Sequence, residues 1–242
     1  DRMAMGRIHS WESMGLVDGP GIRTVIFLQG CRLRCRYCHN PDTWELCGGG
    51  TLESPEETVN RLMRFKPYYG ADGGVTFSGG EPLLQKEFLT EVLALCKSRG
   101  IHTCLDTAGV GCGGYGEILK NTDLVLLDVK HYTPEGYQAV TSRSMDAYEE
   151  FLDAVQSMEV PLWLRHVVVP GLTDGEDHLA GLAEYVKGIR NVKRVELLPY
   201  HVLGVPKYRA MGIPYPLEGV PPMESGALVQ WQERMNCGLK NG

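Results

Sequence analysis

The chain has 242 residues, of which 43% are hydrophobic and 22% are charged, and this composition is that of an ordinary globular protein. Its formal net charge of −6 argues against a general nucleic-acid binder, because such proteins present a basic surface to phosphates. No uncharged apolar run is long enough to span a membrane, and residues 1–5 lack the features of a signal peptide, so we expect a cytoplasmic protein. Residues 1–5 are also open to interpretation as a vector-derived remnant.

Strand patterns and helix patterns alternate along the chain, after a short extended pattern at residues 6–13. The strand patterns cover residues 24–28, 74–77, 101–105, 123–127, 162–169 and 192–198. The helix patterns cover residues 55–66, 85–99, 146–157, 176–187 and 225–235. This alternation predicts an α/β fold, a partial (β/α)6 TIM-like open barrel with parallel strands and outer helices. We expect a single domain over residues 1–242, with a C-terminal extension over residues 205–242.

Three cysteines, Cys31, Cys35 and Cys38, follow the first predicted strand within one loop, residues 31–40. Cysteine thiolates are the usual ligands of iron–sulfur clusters, and an electron-transfer [4Fe-4S] cluster takes four of them. The local set stops at three, so one iron is left to bind a small molecule through its amine and carboxylate groups. A zinc site made by the three cysteines and His39 is the alternative. Adjacent residues such as Cys38 and His39 chelate one small ion awkwardly, which counts against zinc.

Polar residues follow the predicted strands at their carboxyl ends, where parallel α/β barrels carry their chemistry. The turn Gly79-Gly80-Glu81 suits an ammonium group, because glycines let backbone carbonyls approach and the glutamate supplies charge. Asp128 and Lys130 alternate along one strand end and therefore point to the same side. The aspartate can accept bonds from ribose hydroxyls and the lysine can meet a carboxylate, although a surface ion pair is the alternative.

Four further residues in or just after the predicted strands are candidates. Asp106 and Thr107 offer hard oxygens to a monovalent or divalent cation, although an aspartate at a helix N-cap is equally ordinary. His201 is a candidate donor to a sugar or carboxylate, with a histidine bonded within its own loop as the alternative. Arg165 lies inside an apolar strand and needs a partner, for which the substrate backbone is a candidate.

Two glycine-rich stretches have different interpretations. The turn at residues 17–23 leads into the strand that delivers the cysteines, so we interpret it as a substrate-contacting loop rather than a plain connection. Residues 109–114 match G-x-G-x-x-G, but the helical run that follows is too short and glycine-broken to bind a dinucleotide. The remaining cysteines lack ligand spacing and are assigned no metal: Cys47, Cys96, Cys104, Cys112 and Cys237.

The cysteine spacing Cys-x3-Cys-x2-Cys, with Tyr37 before the last cysteine, resembles the cluster signature of the radical S-adenosylmethionine superfamily. The resemblance extends over nearly the whole chain to the glycyl-radical-enzyme activases of that superfamily, in particular to those that act on pyruvate formate-lyase. It rests on residues 17–23, 31–40, 78–81, 101–107 and 197–201. Many other activases insert a cysteine-rich segment after the first motif, whereas only Cys47 occurs between Cys38 and Gly79 here.

The resemblance implies a [4Fe-4S] cluster held by Cys31, Cys35 and Cys38, which are catalytic through the cluster. The reduced cluster cleaves S-adenosylmethionine to methionine and a 5′-deoxyadenosyl radical, which abstracts a glycine Cα hydrogen atom from pyruvate formate-lyase. The resemblance assigns the S-adenosylmethionine contacts to Tyr37, His39, Asn40, Gly79, Gly80, Glu81, Asp128, Lys130 and His201. It places a monovalent cation, Na⁺ or K⁺, near Asp106, Thr107, Asp128 and the backbone carbonyl of Leu126. It assigns the substrate glycine loop to Asp18, Gly19, Pro20, Gly21, Arg23 and Arg165.

The expected partners are pyruvate formate-lyase as the protein substrate and a flavodoxin- or ferredoxin-type electron donor. We expect a monomer that binds neither nucleic acid nor a membrane. Two alternatives stay open: a radical S-adenosylmethionine enzyme acting on a small metabolite or on another glycyl-radical enzyme, and a zinc-binding module.

Overall fold

A computed structural model of the chain describes residues 4–239, and its eight strands form one sheet. The strands are β1 (Gly6–Gly15), β2 (Arg23–Leu28), β3 (Thr51–Glu53), β4 (Gly74–Gly79), β5 (His102–Thr107), β6 (Leu124–Asp128), β7 (Leu162–Val168) and β8 (Val192–Pro199). Their order across the sheet is β3-β1-β2-β4-β5-β6-β7-β8. The sheet is open and mostly parallel, so the predicted partial TIM-like α/β fold is confirmed.

The helices follow the strands in alternation from β3 onward. They are α1 (Pro55–Met63), α2 (Lys86–Ser98), α3 (Gly116–Leu119), α4 (Pro134–Thr141), α5 (Asp146–Ser157), α6 (Glu176–Lys187), α7 (Val205–Met211) and α8 (Val229–Asn236). A capping box begins α1: the Ser54 hydroxyl accepts from the Glu57 N–H, and the Glu57 carboxylate accepts from the Ser54 N–H. No helix within residues 4–239 is long and apolar enough to cross a membrane.

The prediction of six strands was short by two. The six predicted strands correspond to β2, β4, β5, β6, β7 and β8. The extended pattern near the N-terminus is strand β1, which pairs antiparallel with β2 and with the three-residue β3. The three-residue β3 escaped prediction because it is very short, and the extended pattern predicted over residues 6–13 ends two residues before β1 does. Helices α3, α4 and α7 were also missed, and each is eight residues long or shorter.

The described chain divides into two compact units. Unit 1 consists of the chain up to residue 32 together with residues 43–126 and 147–161. In unit 1, β2 pairs in parallel with β4, and β4 pairs in parallel with β5. These strands bury apolar side chains such as Ile26, Phe77 and Leu105, and α2 buries Leu89 and Val92 on its inner face. That burial supplies the main stabilisation of the strand ends described below.

Unit 2 consists of residues 33–42 and 127–146 together with the chain from residue 162 onward. Strands β7 and β8 pair in parallel within it, and α6 buries an apolar face that includes Leu179 and Leu182. The side-chain amides of Gln232 and Asn236 on α8 bond backbone groups of β8, for example the Val195 N–H, which donates to Asn236 Oδ1 at 2.8 Å. These amides satisfy the backbone groups at the edge of the sheet.

Candidate active site

The cysteine segment, which we define as residues 33–42, lies in unit 2 and is held by backbone bonds. The Arg34 and Arg36 N–H groups donate to carbonyl oxygens at the end of α4, each at 3.0 Å. The Cys38 N–H donates to the carbonyl of Cys35 at 3.0 Å, which closes a tight turn between these two cysteines. Cys35 is buried, and desolvation raises the pKa of its thiol to about 11.

Cys31 lies in unit 1, three residues after the end of β2. Its N–H donates to the carbonyl of Trp44 at 3.4 Å, and the Gly30 N–H donates to the carbonyl of Thr43 at 2.7 Å. All eight cysteines lie within residues 4–239, and none of them forms a disulfide. The predicted ligand trio is therefore available for metal rather than committed to disulfides.

Tyr37, Asp128 and Lys130 form a polar group in unit 2. Lys130 Nζ donates to Asp128 Oδ2 at 2.9 Å and lies 5.5 Å from the ring centroid of Tyr37. Burial lowers the pKa of Lys130, but Asp128 and the nearby Tyr37 and Cys35 outweigh it, so the net pKa is raised. The Tyr37 hydroxyl is buried and has no hydrogen-bond partner among the described residues.

The turn predicted to bind an ammonium group lies at the end of β4 in unit 1. Gly79 has a φ of +116° and packs so closely that an added Cβ would lie 2.2 Å from the Leu28 nitrogen. A Cβ on Gly80 would lie 2.4 Å from the carbonyl oxygen of Gly30. Both positions therefore require glycine on steric grounds, and Gly79 also requires it for its backbone conformation.

Glu81 is only 1% exposed, and its carboxylate accepts four hydrogen bonds from unit 1. Oε1 accepts from the Thr107 hydroxyl at 2.5 Å and from the Leu83 N–H at 3.1 Å. Oε2 accepts from the Ala108 N–H at 3.0 Å and the Val110 N–H at 3.3 Å. Desolvation raises the pKa of Glu81 to about 7, against the lowering effect of these bonds. Four bonds fill the acceptor capacity of a carboxylate, so protein donors occupy the positions that an ammonium group would need.

The residues predicted to hold a cation are also engaged within their units. Asp106 Oδ2 accepts from the Ser78 hydroxyl at 2.6 Å, and Thr107 Oγ1 accepts from the Gly109 N–H at 2.9 Å. Leu126 is buried in β6. Within residues 4–239, no three His, Cys, Asp or Glu side chains are arranged to hold a single metal ion. An iron–sulfur cluster distributes its cysteine ligands over several irons, so its ligands need not converge on a single ion.

His39 and His201 stack in unit 2, with ring centroids 3.9 Å apart and planes 22° apart. His39 Nε2 lies 3.1 Å from the His201 carbonyl oxygen, and because a carbonyl can only accept, Nε2 carries the proton. Burial lowers the pKa of His39 to about 4, and the neighbouring His201 adds to this effect. Asn40 Oδ1 accepts from Lys207 Nζ at 3.0 Å.

The predicted substrate turn at residues 18–21 is hydrogen-bonded to the side chain of Arg23 in unit 1. The Arg23 side chain is fully buried, and its guanidinium donates to the Thr76 hydroxyl and to the carbonyl oxygens of Pro20, Asp72, Val75 and His102 at 2.7–3.2 Å. The Thr76 hydroxyl in turn donates to the carbonyl of Asp18 at 2.6 Å. Arg23 is thus placed to shape the turn.

Arg165 has a partner within its own unit. Its Nε lies 3.2 Å from Glu196 Oε2, and Glu196 Oε1 lies 3.1 Å from Arg194 Nε. Arg165 and Glu196 are directly paired across β7 and β8, so both side chains project from the same face of the sheet. Glu196 therefore compensates the buried guanidinium, which answers the predicted need for a partner.

Sequence reasoning missed the contacts of α7 with the cysteine segment. Lys207 Nζ also donates to Asp42 Oδ1 at 3.1 Å, and the Tyr208 hydroxyl donates to the Cys38 carbonyl at 2.8 Å. The available signal was the pair Lys207-Tyr208 in an otherwise proline- and glycine-rich stretch, where a lysine and a tyrosine on a short helix can reach adjacent residues of a loop.

The donor set fits an iron–sulfur cluster with an open iron. Three cysteines outside any disulfide occur within eight residues, and the buried Tyr37 hydroxyl next to Lys130 lacks a partner among the described residues. A bound polar ligand would supply that partner. Gly79 and Gly80 at the end of β4 are half-buried and have no side chains of their own to cover their backbone carbonyls. Each observation stands within its own unit.

Comparison with known proteins gives a consistent result. A family model described as Radical SAM superfamily matches residues 25–183. The chain is 57% identical over 223 residues to the pyruvate formate-lyase-activating enzyme of Clostridium pasteurianum, which covers 92% of this chain and 93% of the relative. It is 43% identical over 247 residues to the enzyme of the same name from Staphylococcus epidermidis, with 98% of each chain covered. A crystal structure of a domain of pyruvate-formate lyase-activating enzyme from Bacteroides vulgatus matches with a TM-score of 0.55 at 26% identity, covering 69% of this chain and 96% of that one.

Proposed function

Because this chain belongs to the radical S-adenosylmethionine superfamily and, within it, to the pyruvate formate-lyase-activating enzymes, we propose that it installs the glycyl radical of pyruvate formate-lyase. The observation that carries the proposal is the trio Cys31, Cys35 and Cys38, none of them in a disulfide, in a chain 57% identical to such an enzyme. When bound, the cluster and S-adenosylmethionine supply the radical that removes a hydrogen atom from a glycine Cα.

The role of unit 1 is to provide Cys31 and a turn shaped for the methionine amine. The backbone of Gly79 and Gly80 is the proposed amine site, since both residues are half-buried and lack side chains that would keep an ammonium group away from their carbonyls. Glu81 was predicted to supply charge to the amine, and its four internal bonds support a different contribution. By fastening the turn to residues 107–110, Glu81 holds the two glycines in place.

The role of unit 2 is to provide the other two thiols and the polar groups for the rest of the cofactor. Lys130 is the proposed partner of the S-adenosylmethionine carboxylate and Asp128 that of a ribose hydroxyl, which uses the spare oxygen of Asp128. Tyr37, His39, Asn40 and His201 are proposed to line the same ligand. The Tyr37 hydroxyl supports this assignment because it needs a hydrogen-bond partner.

Two further sites are proposed, one for a cation and one for the substrate. A monovalent cation at Asp106, Thr107, Asp128 and the Leu126 carbonyl is supported by the oxygen chemistry of these groups. The glycine loop of the substrate is proposed to contact residues 18–21, which Arg23 keeps in shape, and the guanidinium of Arg165, which Glu196 orients. Arg23 itself is fully buried and is therefore proposed to act through the turn.

The chain is further proposed to work as a monomeric single domain in the cytoplasm, with a flavodoxin- or ferredoxin-type electron donor. The units are interleaved in sequence, because the chain passes between them at residues 32/33, 42/43, 126/127, 146/147 and 161/162. Such interleaving supports cooperative folding. Urea unfolding should therefore give one transition by both fluorescence and circular dichroism, whereas two separated transitions would contradict the single domain. Sedimentation at several concentrations tests the monomer.

The proposal is tested by replacing one ligand and one matched buried thiol. Cys35→Ala should prevent assembly of a four-iron cluster and abolish S-adenosylmethionine cleavage, because it removes one of three protein ligands. Cys96→Ala should leave both intact, since Cys96 is buried on α2 as a small apolar group. The measurements are iron content, the visible chromophore and methionine release under anaerobic reducing conditions. Equal cleavage activity of Cys35→Ala and the intact protein would end the assignment.

The partner is tested by mixing the reduced protein with pyruvate formate-lyase and S-adenosylmethionine without oxygen. An organic radical signal with glycyl hyperfine structure should appear on the lyase. Cofactor cleavage that instead requires a small metabolite and no protein would favour the metabolite alternative. One zinc ion per chain and no chromophore would favour the zinc-binding module.

A further inference from the structure

Cys38, the third cysteine of the trio, begins a stretch, residues 38–42, that is hydrogen-bonded to α7 (Val205–Met211). Tyr208 is 1% exposed, and its hydroxyl donates to the Cys38 carbonyl oxygen at 2.8 Å. Both groups would otherwise need another partner in a largely buried place. The helix therefore fixes the backbone of a cysteine that the proposed function makes a cluster ligand.

The next residue on α7 reaches further along the same stretch. Lys207 Nζ donates to Asn40 Oδ1 at 3.0 Å and to Asp42 Oδ1 at 3.1 Å. The side chains of Lys207 and Asp42 are 40% and 33% exposed, so this ion pair is weak by itself. Its geometry nevertheless ties two side chains, two residues apart, to one ammonium group.

Gly204, the N-cap residue of α7, adds a steric contact. A Cβ on Gly204 would lie 2.7 Å from the Cα of His39 and 3.0 Å from its carbonyl oxygen. The φ of Gly204 is −82°, which any residue adopts, so close packing rather than backbone conformation requires glycine here. The stack of His39 on His201 continues the same contact.

On the premise of the function proposed above, we infer that Gly204, Lys207 and Tyr208 form a clamp that sets the 38–42 stretch before the cluster and S-adenosylmethionine bind. The clamp residues act through residues 38–42 and not directly on the reacting atoms of the cofactor or the substrate, so they are positioning residues. They act on Cys38 as a ligand and on His39 and Asn40 as proposed cofactor contacts. A stretch ordered in advance loses less conformational entropy when its ligand binds.

The first test uses the iron-free protein, kept reduced and anaerobic, and measures amide hydrogen exchange of residues 36–42. Tyr208→Phe should speed this exchange about fivefold, the effect of losing one hydrogen bond in a partly buried place. Lys207→Met should speed it about twofold, because an exposed ion pair contributes little. Gly204→Ala should have the largest effect, about tenfold, since the methyl group collides with backbone that cannot move aside alone.

Each variant has a matched control in unit 2. Gly175→Ala changes the glycine that begins α6, where an added Cβ meets nothing within 4 Å and φ is −64°. Tyr215→Phe removes a hydroxyl that bonds Tyr200 rather than the cysteine segment. Arg209→Met removes a charge from α7 itself. All three should leave the exchange rate of residues 36–42 the same as in the unchanged protein, so that even the small effect of Lys207→Met can be distinguished.

The second test uses the reconstituted protein and measures the rate of iron loss to a chelator, with S-adenosylmethionine affinity measured in parallel. The same order of variants is expected, and Lys207→Arg should restore most of the lost protection. The inference is overturned if residues 36–42 exchange at the rate of an unstructured peptide in the unchanged protein. It is also overturned if clamp variants and controls lose iron equally fast. Failure of the unchanged protein to take up four irons would refute the proposed function, whereas the exchange experiment would still test the clamp.

Discussion

Two carboxylates that were predicted to hold the same cofactor lie in different surroundings, Glu81 in unit 1 and Asp128 in unit 2. Glu81 is 1% exposed, and each of its oxygens accepts two hydrogen bonds from the protein. The Asp128 side chain is 29% exposed, and Lys130, which donates to one of its oxygens, is the partner recorded for it within residues 4–239. A carboxylate has about four acceptor positions, so Glu81 is saturated and Asp128 keeps spare capacity.

The difference separates groups that build the fold from groups that are free to bind. A buried polar side chain with every position satisfied cannot take a ligand without losing an internal bond, which costs about 1–3 kcal/mol. A partly exposed side chain with a spare oxygen exchanges only water for the ligand. His166 in unit 2 belongs to the first kind, since it is 2% exposed and both ring nitrogens are bonded. Three predictions test this distinction.

The largest effect is expected at Glu81. Glu81→Ala should lower the free energy of unfolding by about 4 kcal/mol, because it leaves four buried donors without an acceptor. Glu81→Gln should lower it by about 2 kcal/mol, since the amide oxygen replaces only one of the two acceptors. The measurement is urea unfolding of the iron-free protein, with exposed Glu87→Gln on α2 as the control. Unchanged stability of Glu81→Gln with weakened S-adenosylmethionine binding would make Glu81 a direct ligand, and Glu81 would then not differ from Asp128.

The sequence was sufficient for the parts of the fold that depend on local pattern. Apolar runs rich in valine, leucine and isoleucine predicted six of the eight strands of the sheet, namely β2 and β4 to β8. The candidate residues were placed correctly at strand ends: Gly79 closes β4, Thr107 closes β5 and Asp128 closes β6. The polar β1 shows only a short extended pattern and β3 shows none, since pairing rather than apolar composition makes them strands.

The sequence could not show which candidate groups are saturated. The donors to Glu81 include the Ala108 N–H, 27 residues away, and the partner of Asp42 is Lys207, 165 residues away. Such pairings depend on how the chain crosses over, which local patterns do not encode. Arg23 illustrates the consequence: its motif predicted contact with substrate, whereas its guanidinium is buried against backbone carbonyls.

A second, smaller effect is expected at His166 when the pH falls. His166 Nδ1 donates to the Val129 carbonyl at 2.6 Å, so its Nε2 must accept from His178 Nε2 at 3.0 Å. Burial, assisted by neighbouring His131 and by Lys130 near His166, lowers the pKa of both imidazoles to about 4. Their contribution to stability is therefore complete above the ordinary histidine pKa of about 6.5 and is lost as the pH falls toward 4.

Between pH 7.5 and pH 5, this loss should be about 2 kcal/mol for His166. The experiment compares urea unfolding of the protein and of His166→Asn, which keeps a donor for the Val129 carbonyl. The variant should be less stable at pH 7.5 and should lose less stability on acidification. Taking the difference between the two proteins removes the contributions of other groups that titrate in this range. If the free energy of unfolding fell equally with pH in both proteins, His166 would not be held uncharged in the folded protein.

The smallest effect is expected at Asp128, and it should appear in binding more than in stability. Asp128→Asn keeps an oxygen for Lys130 but removes its charge, so the affinity for S-adenosylmethionine should fall about tenfold, or about 1.4 kcal/mol. The free energy of unfolding should fall by only about 1 kcal/mol, because the pair is partly exposed. Adding Lys130→Met should recover that stability, since no uncompensated ammonium group remains, while binding stays weak. Calorimetry on the reconstituted protein separates the two quantities. If the double variant regained binding along with stability, Asp128 would be a structural group like Glu81.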